Sequence, residues 1–272
     1  MQQRYATHPD QIPAMDTTTL RGHYLVPDVF TPGQITLTYT HHDRIVLGGA
    51  APTTGPLTLT PPPQLRAEYF LEFREIGIVN VGAPGSVTVD GDRHDLDRGA
   101  CLYVGRGCRD VVFDGDGAQF YLFSAPAHTA YPTVLVPPGQ GNRLELGDQS
   151  TSNRRTLTQY IHAGGVQSCQ VVLGVTELHP GSMWNTMPAH THDRRTECYL
   201  YFDVPDDARV IHLLGEPAQT RHLVVADRQA VISPSWSIHS GVGTAAYSFV
   251  WAMAGENQEF TDMDPVTAAD LR

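Results

Sequence analysis

The chain has 272 residues, 41% hydrophobic and 17% charged, enough for one large domain or two of about 135 residues each. Its formal charge of −11, from 29 acidic and 18 basic side chains, excludes a general nucleic-acid surface. All 18 basic residues are arginine, which also excludes chemistry that needs a lysine amine: a Schiff base, a pyridoxal phosphate anchor or a P-loop.

Residues 1–10 lack the apolar core of a signal peptide, and no stretch has the length of a membrane span, so a cytoplasmic location is expected. Short β-rich runs separated by Gly, Pro and Asp then follow at 35–39, 45–47, 77–81, 86–89, 100–104, 111–113 and 119–123. His41 and His42 are adjacent, and on a strand they would face opposite sides. A Pro- and Gly-rich section, 131–153, reads as a connection. The β-rich pattern resumes at 170–177, 196–202, 209–214, 221–225, 230–233 and 246–253, and helix is scarce, with 267–271 a candidate. Runs of this length predict a sandwich or barrel rather than a parallel α/β sheet. Arg98-Gly-Ala-Cys-Leu-Tyr-Val aligns with Arg228-Gln-Ala-Val-Ile-Ser-Pro, and the same register sets Arg109 against His239. Two related barrels are therefore expected, one over 1–135 without metal and one over 136–272 with it.

The second half carries the chemistry. His190 and His192 project from one face of a strand, and Glu197 can rejoin them if Asp193-Arg194-Arg195 is the tip of a hairpin. Tyr199 and Tyr201 then point inward with Glu197, while Cys198, Leu200 and Phe202 point outward and need a second apolar surface. His239, after the strand-like 230–233, supplies a third imidazole. Three imidazoles and one carboxylate suit zinc, iron, manganese or nickel and leave room for water or substrate oxygens. The four cysteines form no C-x-x-C pair and read as reduced thiols, with Cys198 on the wrong face to be a ligand.

The His-x-His-x4-Glu pattern with its distant histidine resembles the cupin metal motif. That resemblance implies an all-β bicupin: two double-stranded β-helix (jelly-roll) barrels with little helix and the ion inside one. Asp43-Arg-Ile-Val-Leu-Gly-Gly, Thr151-Ser-Asn-Arg-Arg-Thr, Asn185-Thr-Met-Pro-Ala-His-Thr-His-Asp-Arg-Arg, Ile232-Ser-Pro-Ser-Trp-Ser-Ile-His-Ser-Gly-Val-Gly-Thr and Trp251-Ala-Met-Ala-Gly-Glu-Asn-Gln are more specific. They are similar to the 5-keto-4-deoxyuronate isomerase family, also called 4-deoxy-L-threo-5-hexosulose-uronate ketol-isomerases. The resemblance implies a zinc enzyme of pectin and polyuronate breakdown, with one zinc per subunit on His190, His192, Glu197 and His239. It also implies a homo-oligomer, a hexamer, acting on a small-molecule sugar acid, while the charge and the lack of a span lead us to expect no nucleic-acid or membrane partner.

The implied reaction moves a carbonyl without net redox. Glu197, Tyr199 and Tyr201 are the candidates for the proton shuttle. Arg154, Arg155, Arg194 and Arg195 are the candidates for the substrate carboxylate, and Trp184, Trp236 and Met187 for the pocket mouth. Two other enzymes would use the same ligands: 5-deoxyglucuronate isomerase of inositol catabolism, and an iron-dependent cupin dioxygenase. The Ser-Asn-Arg-Arg and Ser-Pro-Ser-Trp-Ser-Ile-His-Ser-Gly stretches favour the polyuronate isomerase. A non-catalytic sugar-acid sensor would need a DNA-reading element that the chain does not show.

Overall fold

The β-rich runs all fall on strands of the structure, a computed structural model that describes residues 1–272. The strands build two barrels on one plan. In the first, a seven-stranded sheet runs Gln2–Arg4, Gln34–Thr40, Val46–Ala51, Phe120–Pro126, Arg74–Asn80, Cys101–Val104, Val134–Val136. A four-stranded sheet of Leu57–Thr58, Val111–Asp114, Gly85–Val89 and Asp92–Leu96 lies across its apolar core. The second barrel repeats the order, with Asn142–Leu146, Arg155–Ile161, Val172–Leu178, Ser248–Gly255, Arg195–Phe202, Ala230–Ser233 and Leu25–Val26 in the larger sheet. Trp184–Asn185, Ser240–Gly243, Val210–Glu216 and Gln219–Val225 form the smaller one. The repeat seen in the sequence is thus structural, since Cys101–Val104 and Ala230–Ser233 are both sixth in their sheets.

The two seven-stranded sheets pack face to face, which explains why the strand Arg195–Phe202 is buried along its whole length. Glu197, Tyr199 and Tyr201 turn into the second barrel. Cys198, Leu200 and Phe202 find their second apolar surface on the first, against a layer that includes Leu47, Val79, Tyr103 and Phe123. Gly77 sits where the sheets approach, and a Cβ there would press on Leu173 and Ile161. Glu75 joins the halves with a fully buried carboxylate. It accepts hydrogen bonds from the Tyr103 hydroxyl (2.7 Å) and from the backbone N–H groups of Cys169 (2.7 Å), Gln170 (2.7 Å) and Val171 (2.8 Å).

Three expectations are corrected. Residues 267–271 form a single turn, closed by Asp270 N–H to Thr267 O, and the α-helix lies at Thr17–Tyr24. Asp16 caps that helix by accepting from Thr19 N–H at 2.7 Å, which offsets the weak helix propensity of three consecutive threonines. The connection at 131–153 carries the edge strands Val134–Val136 and Asn142–Leu146. The barrels also depart from a division into 1–135 and 136–272. Leu25–Val26 pairs with Val231 and Ala230, and Ile12, Leu20 and Tyr24 join the core of the second barrel. No helix is long and apolar enough to cross a membrane.

Candidate metal centre and its cavity

His190, His192, Glu197 and His239 converge, with one ligand atom from each lying within 4.8 Å of the others. His192, Glu197 and His239 are almost fully buried. The predicted hairpin differs in its pairing. The short strand His190–Thr191 pairs with Asp264–Pro265 near the C-terminus, and the turn to Glu197 is closed by Arg195 N–H to His192 O at 3.2 Å. The C-terminal segment therefore supports the ligand strand in the place where the returning strand was expected.

The hydrogen bonds show that these residues fit a cation. His192 Nδ1 lies 2.9 Å from the Arg195 carbonyl oxygen, which can only accept, so Nδ1 carries a hydrogen and Nε2, 3.0 Å from Glu197 Oε2, is the nitrogen left to face an ion. The same Oε2 is 3.0 Å from His239 Nε2, itself 2.9 Å from His190 Nε2. Three imidazole nitrogens and a carboxylate oxygen converge here on one point, a donor set that a divalent ion between them would satisfy. Burial pushes the His190 imidazole down to about 3, helped by His239, so it stays neutral and able to ligate. Burial alone would raise the Glu197 carboxyl, but His239 and His192 outweigh it and hold it well below the usual carboxylate range.

The cluster opens into a cavity of about 290 Å³ on the inner face of the large sheet. Glu197 and Tyr199 line it, with the Tyr199 hydroxyl 3.2 Å from Thr186 Oγ1. Tyr201 does not reach it. Its hydroxyl lies 2.7 Å from His212 Nδ1, in a buried polar layer behind the cavity wall. Burial raises both phenols well above their ordinary value, Tyr199 further through the Glu197 charge and Tyr201 through Tyr247.

The four candidate arginines separate. Arg194 and Arg195 are both taken by Asp262. Arg195, 1% exposed, grips that carboxylate with NH2 to Oδ1 at 2.7 Å and NH1 to Oδ2 at 3.0 Å, and its NH1 also reaches Asn257. Arg194 donates to the same carboxylate at 3.1 Å and to the Asp262 carbonyl at 2.7 Å. Arg154 is exposed and off the cavity, whereas Arg155 lines it. Trp184, Trp236 and Met187 are absent from the wall, where Leu144, Leu146, Phe260 and Met263 lie instead. Cys198 is buried in the intersheet layer, as its strand parity requires.

Sequence reasoning did not single out Thr176, Trp251, His212 or Asp262. Trp251 had a signal, because Phe249, Trp251 and Met253 alternate on the inner face of one strand. Gly174 makes room for it, since a Cβ at that position would overlap the indole. Asp262 had none, as its partner Arg195 is 67 residues away.

Fold and site together define a two-barrel cupin protein with, in one barrel, a buried cluster that could hold a metal ion. The chain belongs to the KduI/IolB family, whose sequence profile matches residues 24–267. It is 65% identical over 279 residues, the whole of both chains, to a 4-deoxy-L-threo-5-hexosulose-uronate ketol-isomerase of Kineococcus radiotolerans. A protein of that name from Halalkalibacterium halodurans is 54% identical over 276 residues, again covering both chains fully. Among solved structures, an IolB-like protein from Salmonella typhimurium matches with a TM-score of 0.73 at 14% identity, covering 91% of this chain and 98% of that one. Bacillus subtilis oxalate decarboxylase, a protein with Mn(II) centres, matches with a TM-score of 0.53 at 9% identity, covering 81% and 71%. At such identities the structural likeness is one of fold. Full-length identity of 65% and 54% to ketol-isomerases places this chain in the isomerase class.

Proposed function

We propose that this enzyme is a cytoplasmic aldose–ketose isomerase of pectin and polyuronate breakdown, converting 5-dehydro-4-deoxy-D-glucuronate into 3-deoxy-D-glycero-2,5-hexodiulosonate. The observation that carries the reading is the complete ligand set opening into a cavity at the small end of the range for ligand pockets, in a chain 65% identical to a protein named 4-deoxy-L-threo-5-hexosulose-uronate ketol-isomerase. His190, His192, Glu197 and His239 would hold one zinc ion, which when bound would polarise a carbonyl and stabilise the negative charge left as a neighbouring carbon loses its proton, with no redox step. Both contacts of Glu197 with imidazoles use Oε2, so Oε1 is the atom that takes the proton from C2 and returns it to C1. Tyr199 keeps its own proton and donates a hydrogen bond to a substrate oxygen from the cavity wall.

The test is to incubate the purified protein with the unsaturated-uronate breakdown product and follow carbonyl migration by NMR, alongside metal analysis and oxygen consumption. Migration from C1 to C2 with about one zinc per chain and no oxygen uptake is expected. Oxygen uptake with iron would establish the dioxygenase, and turnover of 5-deoxyglucuronate alone would establish the inositol enzyme. The His239→Ala protein should keep its fold while losing most of its zinc and turnover. Unchanged zinc and turnover would remove His239 from the ligand set. Sedimentation of the zinc-loaded protein tests the expected hexamer.

A further inference from the structure

Every charged side chain on the cavity wall except one is engaged within the protein. Glu197 belongs to the metal-ligand cluster, and Arg195 is clasped by Asp262. The exception is Arg155, half-buried on the strand Arg155–Ile161, which donates NH1 to the Asn153 carbonyl at 2.9 Å and meets no carboxylate. Its Nε and NH2, the pair that grips a carboxylate side-on, remain free. Burial lowers its pKa, as befits a cation withdrawn from water without an acid to offset it.

Two more polar atoms on this wall are buried and without partners, Thr176 Oγ1 and Trp251 Nε1. They stand on the two strands between that of Arg155 and that of Glu197, so free donors run from one side of the cavity to the other. Buried donors left unpaired are costly unless a ligand uses them. We propose that Arg155 receives the carboxylate of the sugar acid, with Thr176 and Trp251 donating to oxygens along its chain, so that the reacting end is directed to the metal-ligand cluster. This rests on the uronate reading above and adds to it the orientation of the substrate and the basis for selecting an acid over a neutral sugar.

The experiment is a cycle between protein and ligand. Wild-type, Arg155→Met and Arg155→Lys proteins, all zinc-loaded, are titrated with 5-dehydro-4-deoxy-D-glucuronate and with its analogue whose carboxylate is reduced to a primary alcohol. Binding is read by tryptophan fluorescence, and kcat and KM are measured in parallel. Arg155→Met should weaken binding of the acid and raise its KM by about ten- to a hundredfold, with kcat within a few-fold and zinc content unchanged. The alcohol should bind the wild type comparably weakly and lose nothing further in Arg155→Met, while Arg155→Lys should fall between. Equal losses for acid and alcohol, or none for either, overturn the proposal. If Arg155→Met does not fold, wild type and Arg155→Lys decide it, since equal wild-type affinity for acid and alcohol also overturns it. Carboxylate-dependent binding without turnover would overturn the isomerase reading and uphold the Arg155 subsite; turnover without carboxylate dependence would do the reverse.

Discussion

Tyr199 and Tyr201 lie two positions apart on one strand and point the same way, yet only Tyr199 reaches the cavity. The Tyr201 hydroxyl is committed to His212, a fully buried imidazole pushed by burial, and then by His239, down to about 3. The two phenylalanine variants should therefore fail differently. Tyr199→Phe should lower kcat by about a hundredfold with little change in stability, as expected when a group that hydrogen-bonds the reacting substrate is lost. Tyr201→Phe should keep kcat within a few-fold but cost about 1–3 kcal/mol in urea unfolding, because His212 Nδ1 loses its buried partner. The opposite pattern would place the proton chemistry behind the wall. Strand parity made both tyrosines legible as inward residues, and ligand type with short spacing made His190, His192 and Glu197 legible as a set. Depth below the cavity was not legible, because it depends on what the opposite sheet supplies, here Asn185 and His212.

At the scale of the element, the C-terminal segment after Gly255 couples the cavity rim to the ligands. Asp262 pairs with buried Arg195, whose carbonyl fixes the His192 ring, while Phe260 stacks edge-on against Trp251 at 5.5 Å. Asp262→Ala should destabilise the protein by about 3–5 kcal/mol, since it leaves a buried guanidinium unpaired, and should also loosen zinc, as read by competition with a chelator. The hydrogen bond from Arg195 holds the Asp262 carboxyl well below its ordinary range. Because its folded-state value is depressed, this stabilisation is complete above the ordinary carboxylate pKa of about 4 and fades as pH falls towards the lower folded value. Thermal unfolding from pH 7 to 3 should show a shallower acid decline in Asp262→Asn than in the wild type; identical slopes would mean that the pair contributes nothing. This element was the least legible in the chain. Alternation reveals which residues of a strand face inward, but its pairing partner lies outside any local window, so the segment read as a short helix and the ligand strand as half of a hairpin.

Across the whole molecule, the barrels hold together through an apolar layer between their large sheets and through Glu75, whose carboxylate accepts four hydrogen bonds, three of them from the 169–171 backbone. Glu75→Ala should cost about 3 kcal/mol or more by leaving those N–H groups buried and unpaired. Denaturant unfolding reads the loss, and an unchanged midpoint would mean that the apolar layer suffices. The two-barrel plan was visible in the spacing of strands and in the aligned Arg98 and Arg228 segments, whereas the crossing of residues 9–26 to the far barrel was not, because two apolar residues at 25–26 give no periodic signal. That crossing bears on how the protein is made. On the ribosome the helix Thr17–Tyr24 and the strand Leu25–Val26 emerge well before Ala230–Ser233, the strand they dock on. The first barrel has all its strands once Val136 is out, but the tether at Leu25–Val26 must wait some two hundred residues for the strand it pairs with. The second barrel therefore reaches its final strand order only after Ser248–Gly255 has emerged, more than two hundred residues behind Leu25–Val26.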